Sequence, residues 1–455
     1  MVRVKLFLPF HARFLYLCIY IAETVKLMVM KKHILIPALA LSMVFSACST
    51  VNNPLEDLVI DDPTPTEPVD PVSSRGYAIP IKLDTKQQQI NEQLAAFSWK
   101  LFNESYKLRE KGKNVLISPV SLEVALGMFV NGLSAEEQQR VLKTLGLENF
   151  SVEDVNAYFQ TMMEGLADAD DVAELHMANS FWYTEGRNVK SDFASVLNNS
   201  YKAESNAVNF SKQSTIDAIN AWCAKQTKDR IKSILDNGVD PSIYAVLLNA
   251  VYFKSSWKNE FNEKETHKQP FHYADGTDAE VDMMNKSDTK FDYLESDDFQ
   301  AATLPFVNEA YKLFVILPKE GKKVGDIAGI VKPQMFNDFQ TRMLDYFAMP
   351  KFEVNYTEEK LAQAMQQINP ELGFGGLNFQ PLLPEITSET AIEVLQKTFF
   401  KVDENGAEAA AVTGIIAKNT SVSPSHNMIL DRPFIYGIME TSTNCPLFIG
   451  YYGEK

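Results

Sequence analysis

The sequence predicts an α+β fold in which helices dominate the first half of the chain and β-strands the second. Apolar residues of the first half recur at helical spacing, beginning with residues 86–111. The second half contains continuous apolar runs, such as 245–253, that are typical of strands inside a large sheet. The 455-residue chain shows no interior linker and no clear repeat, so we expect one large folded domain after the N-terminal region.

Four helices are predicted in the first half. The second follows Ser118, which indicates an N-cap, and Pro119, which suits the first helical position. Residues 153–165 and 214–227 predict the other two. The face of the first helix consists of Ile90, Leu94, Phe97, Leu101 and Leu108.

Strands are predicted over the remaining apolar runs of the second half. Residues 302–306 and 311–317 flank Asn308-Glu309 and predict a hairpin. Residues 395–402 and 434–439 predict further strands near the C-terminus.

The most informative segment comprises residues 404–410 and the stretch 411–416 that follows. Its first half is small and nearly uncharged, whereas its second half is rich in Val, Ile and Thr. Such a segment can form a strand but has too little side chain to anchor a core. It could therefore be exposed as a loop and later enter a crowded sheet. The alternative is an Ala/Gly-rich connector before the last strands.

The pattern Glu-x-Gly-x-Glu-Ala-Ala-Ala at 404–411 resembles the hinge of the reactive loop in inhibitory serpins. Similarity to that family extends from about residue 85 to the end of the chain. The resemblance implies the serpin fold, with three β-sheets, about nine helices and an exposed C-terminal reactive loop. Six segments match in the family's order: 114–121, 201–204, 220–222, 249–254 with Trp257 and Phe261, 431–434, and 446–450.

The resemblance implies suicide inhibition of serine endopeptidases, with cysteine endopeptidases as a second target class. A protease would attack the exposed loop and form an acyl-enzyme, and the cut loop would then insert as a new strand of the central sheet. This mechanism needs no cofactor, and the protein itself would not be an enzyme. The alternative within the family is a non-inhibitory carrier or binding module.

The family's hinge maps onto Glu404, Gly406, Ala407, Glu408, Ala409, Ala410 and Ala411. Counting Glu404 as the first residue, the seventeenth is Thr420, which places the reactive bond at Thr420–Ser421. Counting back from Phe434 gives Val422–Ser423 instead, and Lys418 is a third choice. Small or β-branched residues at the first two choices favour an elastase-like protease.

Two further sites are implied by the resemblance. Ser118, Ser121 and Asn249 match the family's shutter, a polar cluster beneath the opening strands. Gln396 replaces the histidine of that cluster, and glutamine can still donate and accept hydrogen bonds. Trp257 matches the breach, where the loop first enters the sheet. The simpler interpretation is that Trp257 packs in the core, and both roles can hold together.

Composition and motifs exclude several function classes. The formal net charge of the whole chain is −16. Residues 1–47 have a net charge of +5, so the remaining residues have a net charge of −21. This acidity argues against binding nucleic acid or heparin-like polyanions. The sequence contains no Gly-x-Ser-x-Gly, no His-Glu-x-x-His and no phosphate loop, which disfavours a hydrolase. The six histidines and four cysteines have no metal-ligand spacing, and no disulfide framework is expected. We expect a monomer.

The N-terminal region is predicted to contain a targeting segment, residues 1–47, and a tether, residues 48–82, before the folded domain, residues 83–455. Two lysines, an apolar run over 34–45 and small residues before Cys48 are typical of a secretory signal. The ending Phe-Ser-Ala-Cys resembles a bacterial lipobox, in which the cysteine thiol is lipidated and becomes the new N-terminus. The alternative is ordinary secretion.

The start of the chain and the tether have their own expectations. Met30 precedes the two lysines and is a natural start site, so residues 1–29 are interpreted as lying before the translated protein. The alternative is that they are translated and contain a second membrane segment. Residues 49–80 are rich in Pro and Asp and poor in apolar groups, which predicts a solvated, extended tether. The domain would then be lipid-anchored at the cell envelope, on the outer membrane or the cell surface.

Overall fold

The computed structural model describes residues 76–187, 189–235, 245–358, 360–372, 396–407 and 426–455. This part of the chain contains eight α-helices, two short 3-10 helices and fifteen strands. The α+β fold is therefore confirmed, with two large sheets and a third group of strands. The segment predicted to be the reactive loop beyond Ala407 lies outside the described residues.

The four predicted helices are confirmed within three residues at each end, and four more are present that the sequence patterns did not predict. The 3-10 helices are Glu263–Glu265 and Pro333–Asn337. The α-helices are α1 Thr85–Leu108, α2 Pro119–Val130, α3 Ala135–Leu145, α4 Val152–Asp168, α5 Ser191–Tyr201, α6 Gln213–Gln226, α7 Val324–Ile327 and α8 Leu361–Ile368.

The predicted strands are confirmed as β4, β7, β8, β11 and β14. The full set is β1 Val115–Ile117, β2 Glu174–Thr184, β3 Glu204–Val208, β4 Ala245–Ser256, β5 His267–His272, β6 Asp278–Glu295, β7 Phe299–Pro305, β8 Tyr311–Pro318, β9 Gln340–Pro350, β10 Phe352–Glu358, β11 Gln396–Asp403, β12 Gly406–Ala407, β13 Asn427–Ile429, β14 Phe434–Glu440 and β15 Pro446–Tyr452.

Local chemistry explains where the first two helices begin. Asp84 accepts a hydrogen bond from the Gln87 backbone, and the Gln87 side chain accepts one from the Asp84 backbone, so a capping box starts α1. Helix α1 ends at Leu108 because the next residue, Arg109, is extended. Ser118 occupies the N-cap position of α2 and Pro119 begins the helix, as predicted, although the Ser118 side chain makes no capping hydrogen bond.

The smaller sheet has the strand order β10-β11-β12-β4-β2-β3. The larger sheet has the order β1-β15-β14-β8-β7-β6-β9-β13, with β5 paired to β6. The long strand β6 has different neighbours along its length. Residues 278–283 pair with β5, residues 283–293 pair with β9, and its last four residues, 292–295, pair with β7. The strands β5, β6, β9 and β13 form the third group.

Two clusters of buried side chains hold the sheets and helices together. The main core joins both sheets to α1, α2 and α4, and the strands β8, β14 and β15 are buried on both faces. A second cluster lies under α6 and includes Ile219 and Trp222 of that helix with Val246 and Leu248 of β4. No helix among the described residues is long and apolar enough to cross a bilayer.

The main core contains a buried carboxyl group on α2. Glu123 is 2% exposed, and the Ser98 hydroxyl donates a hydrogen bond of 2.7 Å to its Oε1. Burial raises the pKa of Glu123 to about 8, although the Ser98 hydrogen bond opposes that shift. At neutral pH the side chain is therefore mostly a protonated acid inside the core.

We predict that Glu123→Gln stabilises the protein increasingly as the pH rises from about 5 to 8. The folded-state pKa of Glu123 lies above its unfolded value, so its contribution is complete at acidic pH and is lost as the pH rises through the folded pKa. The amide cannot ionise and can still accept the Ser98 hydrogen bond. Denaturant midpoints for both proteins at pH 5, 6, 7 and 8 measure the effect, and a pH-independent difference between them contradicts the prediction.

Candidate functional site

The hinge begins as a short strand inside the smaller sheet. Strand β12 is antiparallel to both of its neighbours, with Gly406 opposite Asp403 and Ser256, and Ala407 opposite Val402 and Ser255. It pairs with the last residues of β11 and of β4. Because the pairing is antiparallel, the chain direction after Ala407 points back along both neighbouring strands.

The sequence analysis placed the whole hinge in an exposed loop, and for Gly406 and Ala407 this is wrong. Ala407 is 2% exposed and Gly406 is also buried. Small side chains explain the difference, since a strand of Gly and Ala fits between two close neighbours without displacing their side chains. Four more hinge positions and the candidate reactive-bond residues lie outside the described residues; they are Glu408, Ala409, Ala410, Ala411, Lys418, Thr420, Ser421, Val422 and Ser423.

Gly406 is the tightest point of the hinge. Its φ of +154° is a conformation that residues with a side chain rarely adopt. A Cβ added there would lie 2.1 Å from the Ser255 carbonyl oxygen and 2.8 Å from the Ser256 Cα. Both neighbours are backbone atoms of β4 and cannot rotate away, so this position accepts glycine alone.

The acidic residue at the start of the hinge is anchored by two side chains. The Thr266 hydroxyl donates to Glu404 Oε1 at 2.7 Å, and Lys351 Nζ lies 2.8 Å from Oε2. Burial would raise the pKa of the Glu404 carboxyl, but the hydrogen bonds from Lys351 and Thr266 outweigh it and hold the pKa below the ordinary value. The carboxylate is 4% exposed and ionised at neutral pH.

Backbone hydrogen bonds hold the same segment from the β4 side. The Trp257 amide donates to the Asn405 carbonyl, and the Phe261 amide donates to the Glu404 carbonyl, both at 2.9 Å. The Trp257 indole N–H donates to the Asp403 carbonyl, also at 2.9 Å. We call Trp257, Phe261, Thr266 and Lys351, which bind residues 403–405, the hinge seat.

Trp257 is fixed by aromatic packing beneath the hinge. Its ring stacks on Phe306 with centroids 4.7 Å apart and an interplanar angle of 7°, and it is 3% exposed. Trp257 is thus a buried core residue and also a direct hydrogen-bond donor to the chain that leads into the hinge. The expected breach position and the role of a core residue therefore hold together.

The predicted shutter residues are buried but form two separate hydrogen-bonded groups in the structure. Gln396 accepts from the Ser118 amide at 2.9 Å and donates to the Ser118 carbonyl at 2.8 Å. Asn249 donates to Asn179, which in turn donates to the Tyr201 carbonyl. No hydrogen bond between the described side chains joins the two groups. The fourth predicted member, Ser121, is buried nearby in sequence on α2.

Within the part of the chain that the structure describes, two polar atoms of the shutter have no hydrogen-bond partner. These are the Ser118 hydroxyl oxygen and the Asn249 side-chain oxygen, both buried. An unsatisfied buried polar group costs about 1–3 kcal/mol. The shutter residues therefore contribute less to the stability of the sheet than their burial alone suggests.

Sequence reasoning missed Lys351 and Thr266 of the hinge seat, and Asn179 of the shutter. Lys351 lies 53 positions before Glu404, Thr266 lies 138 positions before it, and Asn179 lies 70 positions before Asn249. A single sequence has no local pattern that links residues so far apart. Only the burial of Glu404, which the structure shows, indicates that a cation must lie beside its carboxylate.

Neither cysteine chemistry nor metal chemistry emerges from the described residues. Cys223 and Cys445 are buried free thiols, and burial raises the pKa of Cys223 to about 11. In the part of the chain that the structure describes, no three His, Cys, Asp or Glu residues meet as a metal site. Cys48 lies outside that part.

We predict that Gly406→Ala releases the hinge from the sheet, because a Cβ at this position would overlap backbone atoms of β4. Amide hydrogen exchange of peptides covering Ser255–Trp257 should accelerate. The control is Gly276→Ala, which also has a positive φ of +85° but no atom within 4 Å of an added Cβ. Exchange of these peptides that is no faster in Gly406→Ala than in Gly276→Ala would contradict the prediction.

Comparison with known proteins agrees with this geometry. A sequence model of the family described as Serpin (serine protease inhibitor) matches residues 92–453. Iripin-3 of Ixodes ricinus is 30% identical over 354 residues, which cover 74% of this chain and 88% of that protein. A serpin-like protein of Thermococcus kodakarensis is 29% identical over 450 residues, covering 92% of this chain and 98% of its own length.

Solved structures show the same fold. The thermophilic serpin tengpin in its native state matches with a TM-score of 0.74 at 28% identity, covering 83% of this chain and 97% of tengpin. Human thyroxine-binding globulin, solved with thyroxine, matches with a TM-score of 0.72 at 22% identity, covering 82% of this chain and all of that one. Other relatives are named as serine protease inhibitors, and thyroxine-binding globulin is named for binding thyroxine. From the family match and the fold, the chain belongs to the serpin family.

Proposed function

We propose that this protein is an irreversible suicide-substrate inhibitor of serine endopeptidases, which it traps as acyl-enzymes by inserting its cleaved reactive loop into the six-stranded sheet. The observation that supports this most is β12. Two hinge residues already lie in the sheet between β11 and β4, in the orientation that further insertion requires. Plasma serine protease inhibitor of Mus musculus, 29% identical over 351 residues, is a relative named for this activity.

Extending the register of β12 explains the residue types that follow it. Ala409 would lie opposite Phe253 of β4 and Phe400 of β11, on the same face as Ala407, because side chains alternate along a strand. An alanine adds little bulk beside two aromatic rings and loses almost no side-chain entropy. Small residues at 407, 409 and 411 therefore suit rapid insertion.

The charged hinge residue Glu408 also fits the extended register. It would lie opposite Lys254 of β4 and Lys401 of β11, on the other face of the sheet. Directly opposite residues of unlike charge stabilise strand pairing by about 0.2–1 kcal/mol. Both lysine side chains are partly exposed, so Glu408 would remain solvated while it pairs with them.

The reactive bond is proposed at Thr420–Ser421, with Val422–Ser423 and Lys418 as alternatives. The same register places residue 417 opposite Ala245, the first residue of β4. Cleavage after residue 417 would therefore free enough chain to pair along the whole of β4. Thr420 and Val422 favour an elastase-like protease, and cysteine endopeptidases remain a second target class.

We expect the protein to form an SDS-stable complex with a pancreatic-type elastase. A catalytic-serine variant of the elastase, which cannot form an acyl-enzyme, is the control and should give no complex. Mass spectrometry of the released C-terminal peptide locates the cut, expected to begin at Ser421 or Ser423. A non-inhibitory carrier would give only cleaved protein, and cleavage well before Lys418 or after Ser425 would overturn the assigned bond.

The thermal stability of the cleaved protein separates inhibitor from carrier independently of the choice of protease. Nicking a chain ordinarily lowers its stability, but insertion of the cut loop adds a central strand. We therefore expect the melting temperature to rise after cleavage. A cleaved form that melts at or below the temperature of the intact protein would favour the carrier function.

We further propose that Cys48 is lipidated and anchors the domain to the cell envelope through the Pro/Asp-rich tether, with secretion as the alternative. The support is the order of basic residues, apolar run and small residues before Cys48. We expect Cys48→Ala to move the protein from the membrane fraction to the soluble fraction of the producing bacterium. Phase partitioning in Triton X-114 measures this, with Cys223→Ala as the control, and an unchanged distribution contradicts lipidation at Cys48.

A further inference from the structure

Lys286 is a buried cation without a carboxylate partner among the described residues. It lies on β6 opposite Phe347 of β9 and is 8% exposed. Its ammonium group donates a hydrogen bond to the Glu260 carbonyl oxygen and lies 4.4 Å from the centroid of the Phe261 ring. Burying a charged group costs free energy unless strong contacts compensate for it. The question is therefore what these two contacts of the buried Lys286 ammonium do in the structure.

Both contacts of Lys286 lead directly to the hinge seat. The Phe261 amide holds the Glu404 carbonyl, and the Phe261 ring packs edge-on against Trp257 with centroids 6.2 Å apart. Trp257 in turn donates its amide and indole N–H groups to Asn405 and Asp403. Lys286 therefore contacts two consecutive residues, Glu260 and Phe261. The second of these, Phe261, also supports the hinge.

The neighbouring residue on β6 supports the other end of the same segment. Asn285 donates to the Glu265 carbonyl, and Glu265 immediately precedes Thr266, which holds the Glu404 carboxylate. The segment 257–266 is thus attached to β6 at two points. Of these, Lys286 is the one that carries a charge and contacts an aromatic ring of the hinge seat.

We propose that Lys286 is a positioning residue of the hinge seat, which orients Phe261 and Trp257 so that residues 403–407 enter the sheet in register. Its effect on trapping rests on the proposed inhibitory function, whereas its effect on Trp257 does not. The cation–π contact and the hydrogen bond to a carbonyl both weaken when the ammonium loses its charge.

The charge on Lys286 is poised to change at mildly alkaline pH. Burial lowers the pKa of Lys286 to about 8, although Glu265 and Glu260 oppose the shift. These two carboxylates are the charges that face it from the segment 257–266. His267 of β5 is linked to Asn285 by a hydrogen bond, and the β9 partner Phe347 is uncharged.

The sign of the linkage separates a local effect from unfolding. The folded-state pKa of Lys286 is below its unfolded value, so the unfolded chain binds more protons between about pH 8 and 10.5, and this group alone makes the folded state more stable as the pH rises there. A change at Trp257 centred near pH 8 therefore cannot come from destabilisation of the whole protein by Lys286.

The experiment follows the indole N–H of Trp257 by ¹⁵N–¹H NMR of the full domain, with Trp257→Phe to assign the signal. In the unmodified protein the signal should shift with a midpoint near pH 8. Lys286→Arg, which stays charged and can contact both partners, should abolish the shift while keeping the low-pH position. Lys286→Met, which is always neutral, should resemble the high-pH form at every pH.

A matched control tests whether any lysine–carbonyl contact would have the same effect. Lys360 donates to the Leu108 carbonyl at 2.9 Å, away from the hinge seat, and Lys360→Met should leave the Trp257 signal and its titration unchanged. If Lys286→Met fails to fold, the proposal is still tested by the titration of the Trp257 signal in the unmodified protein and in Lys286→Arg. A Trp257 signal with no transition near pH 8, or the same transition in Lys286→Arg, overturns the proposal.

The inhibitory readout is separate. With elastase, Lys286→Met should raise the number of inhibitor molecules cleaved per protease trapped several-fold, and Lys286→Arg should restore the unmodified ratio. If the unmodified protein traps no protease, the proposed function fails while the Trp257 titration still tests Lys286. If trapping is normal in Lys286→Met and the Trp257 signal is unaffected, Lys286 has no positioning role.

Discussion

The pairing of Gly406 and Ala407 with β4 and β11 is the constraint on which the rest of the site depends. It fixes where the hinge enters the sheet, and on the proposed mechanism it would also set which face each inserting residue occupies and which strands receive it. Glycine is required because its Cα lies against the β4 backbone, and alanine is tolerated because its methyl group needs little space. The hinge seat exists to hold this pairing, since each of its groups binds residues 403–405 just before the strand begins.

Starting with the hinge already paired changes the energetics of strand addition. The costly step in joining a strand to a sheet is bringing distant segments together, because loop closure loses entropy before contacts compensate for it. In this structure Gly406 and Ala407 are already paired with both neighbouring strands. Each further residue would add hydrogen bonds to two neighbours at once, so insertion from Ala407 onward would proceed as extension and not as a new association.

Secondary structure and fold class could be predicted from the sequence because their determinants are local. The helical face of α1, the proline that opens α2 and the apolar run of β4 each lie within one element, and all three were located to within a few residues. The family resemblance then gave the hinge, the shutter and the breach as positions in the chain. It did not give the contacts among them.

The contacts of the site could not be predicted because they are nonlocal. The Glu404 carboxylate is held by residues from two other parts of the chain, and no spacing rule connects them. The hydrogen bonds of the Ser118 backbone are equally nonlocal, since they come from Gln396, nearly three hundred positions away. The burial of Gly406 and Ala407 was missed because their composition fits an exposed loop as well as a narrow strand position.

If the hinge is seated from the start, resistance to insertion must come from the strands that have to separate. The cluster under α6 contains Val246 and Leu248 of β4, and Phe399 of β11 packs against it, with the Arg230 guanidinium 5.3 Å from the Phe399 ring. The packing of Phe399 against the α6 cluster therefore links β11 to β4, the two strands that an inserting chain would have to separate. Trapping would then be a competition between two rates: deacylation of the protease, and release of β11 from the cluster under α6. On the proposed mechanism, the hinge seat would set the register of insertion and the α6 cluster would set how readily insertion proceeds.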